Sequence, residues 1–321
     1  MGVYAAPDYS VVIPVYNNAG SLDQLMQELN ADLFAHHQEL QYELIFVDDG
    51  SMDDSFSRLM ALRDADPGRI RIIKLTRNFG QPSARLAGLR HARGHCVISM
   101  AADGQEPASV ASEMLARHLR QGSQVVIGAR AGRDETWFRK ATSRVFYSLM
   151  RRVSFDNMPR GGFSFVLLGR RALDTLIRNS ESRPFFQGQV LWLGYEPEII
   201  EFHRPARTDG HSGWTLKKKV NLLVDALVGY SFLPIRVMSM VGVTISVIGL
   251  ALAALILARK LLFGTAVDGW AGIMVAILVL GGVQILMLGV IGEYIWRSLA
   301  EARDRDEYVI ELTTDEMSPS D

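Results

Sequence analysis

Short apolar runs alternate with segments of helical periodicity over the first part of the chain. The runs predict β-strands at residues 10–15, 43–47, 70–75, 96–100 and 124–128, with a later strand-rich stretch at 162–168 and 198–203. The intervening segments predict helices at residues 22–36, 53–64 and 83–93. Ser21 is placed to cap the first of these helices. Alternation of this kind is typical of βαβ units, so the sequence predicts an α/β fold with a mainly parallel sheet.

The pattern changes towards the C-terminus, where two uncharged runs cover residues 237–258 and 271–292. At about 1.5 Å per residue, each run is long enough to cross a hydrocarbon core of about 30 Å. The runs predict two transmembrane helices, at about 235–258 and 271–295, joined as a hairpin. The alternative is a pair of buried helices in a soluble core.

These patterns divide the chain into residues 1–220, a 221–300 segment with the two helices, and a 301–321 tail. The tail is acidic after Glu311 and is predicted to be disordered. Basic residues flank the helices on both outer sides, at Lys217, Lys218, Lys219, Arg236, Arg297, Arg303 and Arg305, against only Arg259 and Lys260 in the loop. The positive-inside rule therefore predicts a multi-pass protein of the inner membrane with its first domain in the cytoplasm.

Residues 137–153 combine an apolar helical face with a basic one. Such a helix is typical of a membrane interface, although an amphipathic helix packed on its own domain has the same pattern.

The chain has almost no net charge, because 34 Lys and Arg residues balance 35 Asp and Glu residues. This balance argues against a nucleic-acid partner, so any anion site must be local. The single cysteine, Cys96, excludes an internal disulfide and is interpreted as a small buried apolar residue. The sequence leaves the oligomeric state open, with a homo-oligomer as one option.

Polar segments follow four of the predicted strands, at residues 14–18, 48–53, 76–81 and 101–107. In an open α/β sheet, ligands bind beyond the carboxyl ends of the strands. Asp48 and Asp49 can accept hydrogen bonds from a base or ribose, and Arg77 can reach a phosphate. Asp103, with Gln105 or Glu106, offers oxygen ligands for Mg²⁺ or Mn²⁺.

A second group of donors precedes the predicted membrane segment and is suited to an anionic headgroup. It comprises Arg204, Arg207, His211, Ser212 and Lys217 to Lys219.

Six features of the chain are specific when they are taken together. They are the motifs VVIPVYNN, ELIFVDDGS, RNFGQ, AADGQEP and HRPAR…GHSGWT, and the paired C-terminal helices. In order and spacing they resemble the family 2 glycosyltransferases that act on polyprenyl phosphates, which include dolichyl-phosphate mannose synthases and bacterial undecaprenyl-phosphate sugar transferases. The resemblance covers residues 10–303. It implies a GT-A fold, which is a Rossmann-like domain. It also implies a nucleoside-diphosphate sugar as donor, a divalent metal and inversion at the anomeric carbon.

The same resemblance assigns site residues by position. It places the donor nucleotide sugar against Pro14, Tyr16, Asn17, Asp48, Asp49, Arg77, Gln81, Ala102 and Asp103. It places the metal, Mg²⁺ or Mn²⁺, on Asp103 and Gln105, and the acceptor phosphate on Arg204, Arg207 and Ser212. Asp103 and Arg207 are the implied catalytic residues.

Three positions depart from the family pattern and bear on metal binding and catalysis. Ala101 replaces the first aspartate of an Asp-x-Asp motif, Gly213 replaces a lysine, and residues 160–163 read RGGF where the family often has an acidic residue. A phosphate acceptor is already ionised near pH 7 and needs no general base, so the third departure favours a lipid phosphate.

Two alternatives stay open. One is transfer to a hydroxyl of a lipid-linked saccharide, for which Glu106 and Asp156 are candidate bases; the other is a degenerate homologue that binds nucleotide without turnover. A processive synthase is disfavoured, because residues 187–192 read QGQVLW and lack the arginine of Gln-x-x-Arg-Trp.

Overall fold

The computed structural model describes residues 6–130, 159, 163–179, 186–203, 233–263, 270–303 and 306–315. The chain divides into two compact units. One comprises Met1–Leu222 together with Asp306–Asp321, and the other comprises Leu223–Arg305. The predicted helix 137–153 lies outside the described residues.

Eight strands form one sheet within the described part of the larger unit. They are β1 (Tyr9–Val15), β2 (Tyr42–Asp48), β3 (Ile70–Leu75), β4 (Cys96–Ser99), β5 (Val125–Arg130), β6 (Phe165–Gly169), β7 (Glu198–Phe202) and β8 (Ile310–Thr313), in the spatial order β7-β5-β6-β4-β1-β2-β3-β8. β4, β1, β2 and β3 pair in parallel, as do β5 and β7. β6 runs antiparallel between β4 and β5, and β8 runs antiparallel to β3. The predicted α/β fold with a mainly parallel sheet is confirmed.

Helices connect these strands. They are α1 (Leu22–Glu28), which continues as a π-helix (Leu29–Phe34), α2 (Ser55–Ala65), α3 (Gln81–His91), α4 (Ala108–Gln121), α5 (Arg170–Arg178) and α6 (Phe186–Trp192). Ser21 stands at the N-cap position of α1, as predicted, but its side chain makes no capping hydrogen bond. Its hydroxyl instead donates to the carbonyl oxygen of Ala102, at 2.7 Å.

The core lies on both faces of the sheet, which explains why the strands are almost wholly apolar. Alternate side chains of a strand point to opposite faces. On one face Ile13 packs in a cluster with Leu25, Leu59 and Leu115 from α1, α2 and α4. On the other face Val12 approaches Gly88 of α3 so closely that a Cβ there would lie 2.3 Å from it. Cys96 is buried in β4, as expected.

The C-terminal segment returns to the larger unit as β8. The prediction of a disordered tail after Glu311 is therefore wrong for residues 311–315. Thr314 is buried, and its N–H donates to the carbonyl oxygen of Ile72 at 3.0 Å. Acidic side chains in this segment form ion pairs with basic side chains on the sheet and on α3. Composition alone does not reveal this pairing.

Asp315 makes the most extensive of these contacts. Its Oδ1 accepts from Arg71 Nε at 2.6 Å, and its Oδ2 accepts from Arg71 Nη2. Arg71 also donates to Glu43 of β2, at 2.6 Å. Glu307 pairs with Arg90 at the end of α3, at 3.0 Å. These ion pairs attach the last described segment to β3 and to α3.

The smaller unit contains two long helices, α7 (Leu233–Phe263) and α8 (Trp270–Ala302). They pack together at Gly242, where a Cβ would lie 2.7 Å from Met287 Cε. The helices predicted at about 235–258 and 271–295 are thus present. However, in the portion of the chain that the structure describes, no helix has the length and apolar character that a membrane span requires. Their predicted transmembrane character is not supported. Both helices extend beyond the uncharged runs and include residues such as Arg259 and Arg297.

Gly50 sets the spacing between the loops that follow β2 and β3. Its φ of +69° lies in the left-handed region, and a Cβ there would lie 2.6 Å from the carbonyl carbon of Arg77 and 2.7 Å from the nitrogen of Asn78. Since both neighbours are backbone atoms, a larger residue must push the two loops apart.

Replacement Gly50→Ala is expected to destabilise the larger unit by roughly 1 to 3 kcal/mol, because it combines left-handed strain with overpacking. Thermal unfolding should show a melting temperature lower by several degrees. Gly68→Ala is the matched control, since the nearest atom to its added Cβ is Asp66 Oδ1 at 3.9 Å. Equal melting temperatures for the two variants would contradict this account of the loop packing.

Asp315→Asn tests the attachment of the C-terminal segment. Burial acts to raise the pKa of Asp315, but hydrogen bonds and charge from Arg71 outweigh it and hold that pKa below its usual value. A lowered pKa stabilises the fold above the unfolded-state value of about 3.9, and this stability is lost as the pH falls through the folded-state pKa. At pH 7 the variant should lose roughly 1 kcal/mol, as expected for a partly exposed pair.

Unfolding of wild type and Asp315→Asn is measured between pH 7 and pH 3. The difference should shrink as the pH falls, while the exposed Asp306→Asn should match wild type throughout. A difference that persists unchanged at pH 3 would refute the electrostatic origin of the effect.

Candidate active site

The carboxyl ends of β4, β1, β2 and β3 lie side by side at one edge of the sheet. The segments predicted to bind ligand follow these ends, at residues 14–18, 48–53, 76–81 and 101–107. Hydrogen bonds join the segments to one another, as described below. The edge is therefore the candidate active site, as expected for an open α/β sheet.

Asn17 connects the loop after β1 to the loop after β2. Its N–H donates to Ser51 Oγ at 3.0 Å, and its Oδ1 accepts from the N–H of Met52 at 2.9 Å. The residue adopts a φ of +52°, which asparagine tolerates better than most residues. Two further bonds run in parallel, from Asn18 N–H to Ser55 Oγ and from Ala19 N–H to Asp53 Oδ2. The two loops therefore form one cross-linked surface.

Tyr16 and Pro14 have different positions in this surface. Tyr16 is 42% exposed and presents its ring beyond the end of β1. Pro14 is buried inside β1, opposite Val47 of β2. Of the two predicted residues, only Tyr16 is placed to contact a ligand directly.

The carboxylate of Asp49 fixes the loop after β3. It is 2% exposed, and its two oxygens accept from the N–H groups of Phe79 and Gly80, at 2.7 and 2.9 Å. Burial raises the pKa of Asp49, and the two N–H donors act against that rise. Such charge-assisted bonds are stronger than bonds between neutral groups. Asp49 thus determines where the residues around Phe79 lie.

Asp48 is wholly buried at the end of β2, and its oxygens lie 3.4 Å from the N–H of Ser51. Burial raises the pKa of this carboxyl, while the hydrogen bond to Ser51 lowers it. The side chain stabilises the turn that starts the β2 loop.

Arg77 and Gln81 are exposed at either end of the loop that Asp49 holds. The guanidinium carbon of Arg77 lies 4.1 Å from the centre of the Phe79 ring. This cation–π contact orients the cation while leaving its donors accessible. Gln81 begins α3.

Asp103 is half-buried in the loop after β4, and its Oδ1 accepts from the N–H of Gln105 at 3.3 Å. Gln105 is 6% exposed. Ala102 is 2% exposed and contributes its carbonyl oxygen, which receives the Ser21 hydroxyl. The loop after β1 is thereby joined to the loop that carries Asp103.

Glu106 has a different environment from the one expected of a base or metal ligand. It is 2% exposed, and its oxygens accept from the N–H of Ala101, at 2.6 Å, and from the hydroxyl of Ser164. This environment disfavours the hypotheses that Glu106 is a general base or a direct metal ligand, because the carboxylate is buried and each oxygen already accepts an interior hydrogen bond.

The donor set fits a hard divalent cation only in part. Carboxylate and amide oxygens, as in Asp103 and Gln105, suit Mg²⁺ and Mn²⁺, which usually take few protein ligands and complete their shell with phosphates and water. Among the described residues, no group of three or more His, Cys, Asp and Glu side chains surrounds a common point. A metal held by Asp103 and Gln105 would therefore need further ligands, which a bound diphosphate and water can supply.

Several predicted residues lie outside the described residues. They are Arg204, Arg207, His211, Ser212, Gly213, Lys217 to Lys219, Asp156 and Gly161.

Sequence reasoning missed two serines that connect the site. Ser21 was assigned to a helix cap, and Ser164 was given no role. No local sequence signal identifies either, since Ser21 and its partner Ala102 are 81 positions apart and Ser164 and Glu106 are 58 apart.

Comparison with known proteins adds three findings. The family model described as glycosyl transferase family 2 matches residues 10–177. An uncharacterized glycosyltransferase of Synechocystis sp. is 34% identical over 304 residues, covering 94% of each chain. The prophage-derived bactoprenol glucosyl transferase of Shigella flexneri is 30% identical over 302 residues, covering 94% of this chain and 96% of that one.

Among solved structures, glucosyl-3-phosphoglycerate synthase of Mycobacterium tuberculosis, in complex with Mn²⁺, UDP-glucose and phosphoglyceric acid, is 16% identical with a TM-score of 0.49. It covers 69% of this chain and 78% of that chain. The family match and the curated relatives show that this chain is a glycosyltransferase and belongs to glycosyl transferase family 2.

Proposed function

We propose that this glycosyltransferase moves a sugar from a nucleoside diphosphate to a polyprenyl phosphate, such as undecaprenyl phosphate, with inversion at the anomeric carbon. The observation that carries the proposal is the convergence at one sheet edge of the loop fixed by Asp49 and the loop that presents Asp103. The first offers Arg77 to a phosphate, and the second offers oxygen ligands to a cation. A donor diphosphate needs both.

The donor is proposed to lie across the cross-linked loops. Tyr16 contacts the base by stacking, while Asn17, Asp48 and Asp49 shape the pocket for base and ribose. Arg77 and Gln81 face the diphosphate. Asp103 and Gln105 would hold Mg²⁺ or Mn²⁺, which would supply positive charge to the leaving diphosphate.

The acceptor is proposed to be a lipid phosphate for two reasons. The Shigella flexneri relative that carries the name bactoprenol glucosyl transferase matches 94% of this chain. An ionised phosphate oxygen can also attack the anomeric carbon without a base, and Glu106, a candidate base, is buried with both oxygens engaged. The new bond joins phosphate oxygen to the anomeric carbon as the bond to the nucleoside diphosphate breaks. Arg204, Arg207 and Ser212 are the proposed ligands of the acceptor phosphate.

Contact with the membrane is part of the proposal. Large apolar side chains on α7 and α8 are more than half exposed, among them Leu252 at 55%, Ile285 at 73% and Leu288 at 66%. Apolar surfaces of this extent mark sites that meet protein or lipid. We propose that they meet lipid at the cytoplasmic face of a membrane.

The transfer reaction is tested with the full chain purified in detergent, undecaprenyl phosphate, Mn²⁺ and a panel of nucleotide sugars. Mass spectrometry should detect one sugar on the lipid phosphate. Asp103→Asn should lower kcat/KM by roughly 100-fold, because charge on the leaving group is no longer offset. Asp174→Asn, which changes an exposed ion pair on α5, should leave the rate unchanged.

Other outcomes would replace the proposal. Product formed only on a lipid-linked saccharide would identify a hydroxyl acceptor. Nucleotide binding without any product would identify a degenerate homologue, and an Asp103→Asn rate equal to wild type would remove Asp103 from the reaction.

Asp49→Asn tests the donor pocket. Asparagine keeps one acceptor oxygen and turns an NH₂ group towards a backbone N–H, so one buried donor loses its partner at a cost of about 1 to 3 kcal/mol. We expect the KM for the nucleotide sugar to rise about 10-fold while kcat changes less, because the loop with Arg77 is displaced. Steady-state kinetics measure both values, with the exposed Asp54→Asn in the β2 loop as control. A loss confined to kcat would contradict a role in donor binding.

A further inference from the structure

The loop that presents Asp103 closes on itself. Glu106, at its end, accepts the N–H of Ala101, at its start, over 2.6 Å. Asp103 and Gln105 lie between these two residues. The single hydrogen bond therefore sets the width of the loop that carries both candidate metal ligands.

The same carboxylate joins the loop to a neighbouring strand. Its second oxygen accepts from the hydroxyl of Ser164, which directly precedes β6. β6 pairs with β4, the strand that leads into the loop, with Ser99 opposite Val166. Nearby, Gln187 of α6 donates to the carbonyl oxygen of Phe163 at 2.6 Å. Glu106 is thus fixed from two sides by rigid elements.

A buried cation accompanies this carboxylate. Arg85 of α3 is 3% exposed, and its guanidinium carbon lies 4.4 Å from the centre of the Phe186 ring. Its charge acts to lower the pKa of Glu106 against the larger raising effect of burial. Its Nε and Nη2 have no hydrogen-bond partner in the described part of the chain. Two roles for Glu106 follow from this environment: counter-ion for Arg85, or hydrogen-bond acceptor that shapes the loop.

We propose that Glu106 is a positioning residue, which places Asp103 by accepting the N–H of Ala101 and the hydroxyl of Ser164. Ala101 has no side-chain oxygen, so its contribution to the site is its backbone position. This inference rests on the proposed function, since it gives Asp103 the role of metal ligand. Partners of this kind orient the groups that touch the metal, and their loss typically weakens metal binding roughly 10- to 100-fold.

The test compares Glu106→Ala with Glu106→Gln in the full chain. Glutamine keeps an oxygen for the Ala101 N–H and an NH₂ group for Ser164 Oγ, whereas alanine keeps neither. Both variants remove the charge that faces Arg85. A positioning role therefore predicts that glutamine rescues function, and a counter-ion role predicts that the two variants fail alike.

The readout is Mn²⁺ binding in the presence of a nucleoside diphosphate that binds the wild type, followed by loss of the electron paramagnetic resonance signal of free Mn²⁺. A protein-free sample corrects for Mn²⁺ held by the nucleotide alone, and Asp103→Asn defines the site. We expect the Mn²⁺ dissociation constant to rise roughly 10- to 100-fold in Glu106→Ala and only a few-fold in Glu106→Gln. Ser164→Ala removes one of the two donors and should raise the Mn²⁺ dissociation constant by an intermediate factor. This variant replaces Glu106→Ala in the test if Glu106→Ala does not fold. Glu113→Ala, an exposed glutamate on α4, should bind as wild type does.

The outcomes separate this inference from the proposed function. Equal losses in Glu106→Ala and Glu106→Gln, wild-type affinity in Ser164→Ala, or no Asp103-dependent Mn²⁺ binding in the wild type would each overturn the positioning role. Mn²⁺ binding that follows the expected order without any sugar transfer would support the positioning role and refute the proposed reaction.

Discussion

The pair of hydrogen bonds from Phe79 and Gly80 to the buried carboxylate of Asp49 is the constraint on which the donor side of the site depends. A buried carboxylate is costly unless charge-assisted bonds satisfy it. The loop after β3 therefore cannot move away from β2 without leaving that charge unpaired. Gly50 permits this approach, because any Cβ at its position would meet the backbone of the same loop. The position of Arg77 therefore depends on the Asp49 hydrogen bonds and on Gly50.

Glu106 repeats this arrangement on the other side of the site. Asp49 accepts two backbone N–H groups, and Glu106 accepts one backbone N–H and the Ser164 hydroxyl. Other side chains remain at the surface: Tyr16 and Arg77 are exposed, and Asp103 is half-buried. The acids that shape the loops and the groups proposed to contact ligand are thus different residues. The distinction explains how motif residues that look equivalent in sequence, such as Asp49 and Asp103, have different environments.

The sequence predicted those parts of the fold that local patterns determine. Strands β1 to β5 were predicted correctly because strands covered on both faces are nearly continuous apolar runs. The candidate site was placed at the carboxyl ends of four strands because polar segments follow them, and its ligands remain a prediction. Contacts between distant residues were not predictable. Arg71 and Asp315 are 244 positions apart, so the acidic tail was predicted to be disordered although its charges are paired. Likewise, the apolar runs predicted both long helices but not their extension into charged segments.

The altered Asp-x-Asp motif has a consequence for how the proposed site assembles. With Ala101 in place of a carboxylate, the loop offers a cation Asp103 and Gln105, too few oxygens for a closed protein cage. Under the proposed function the donor diphosphate and water supply further ligands, so metal and donor binding reinforce each other. Precise placement of Asp103 then matters more than in a loop with two carboxylates, because no second carboxylate of this loop faces the cation. Glu106, which is buried at the end of the loop and accepts two hydrogen bonds, provides this placement under the proposed positioning role.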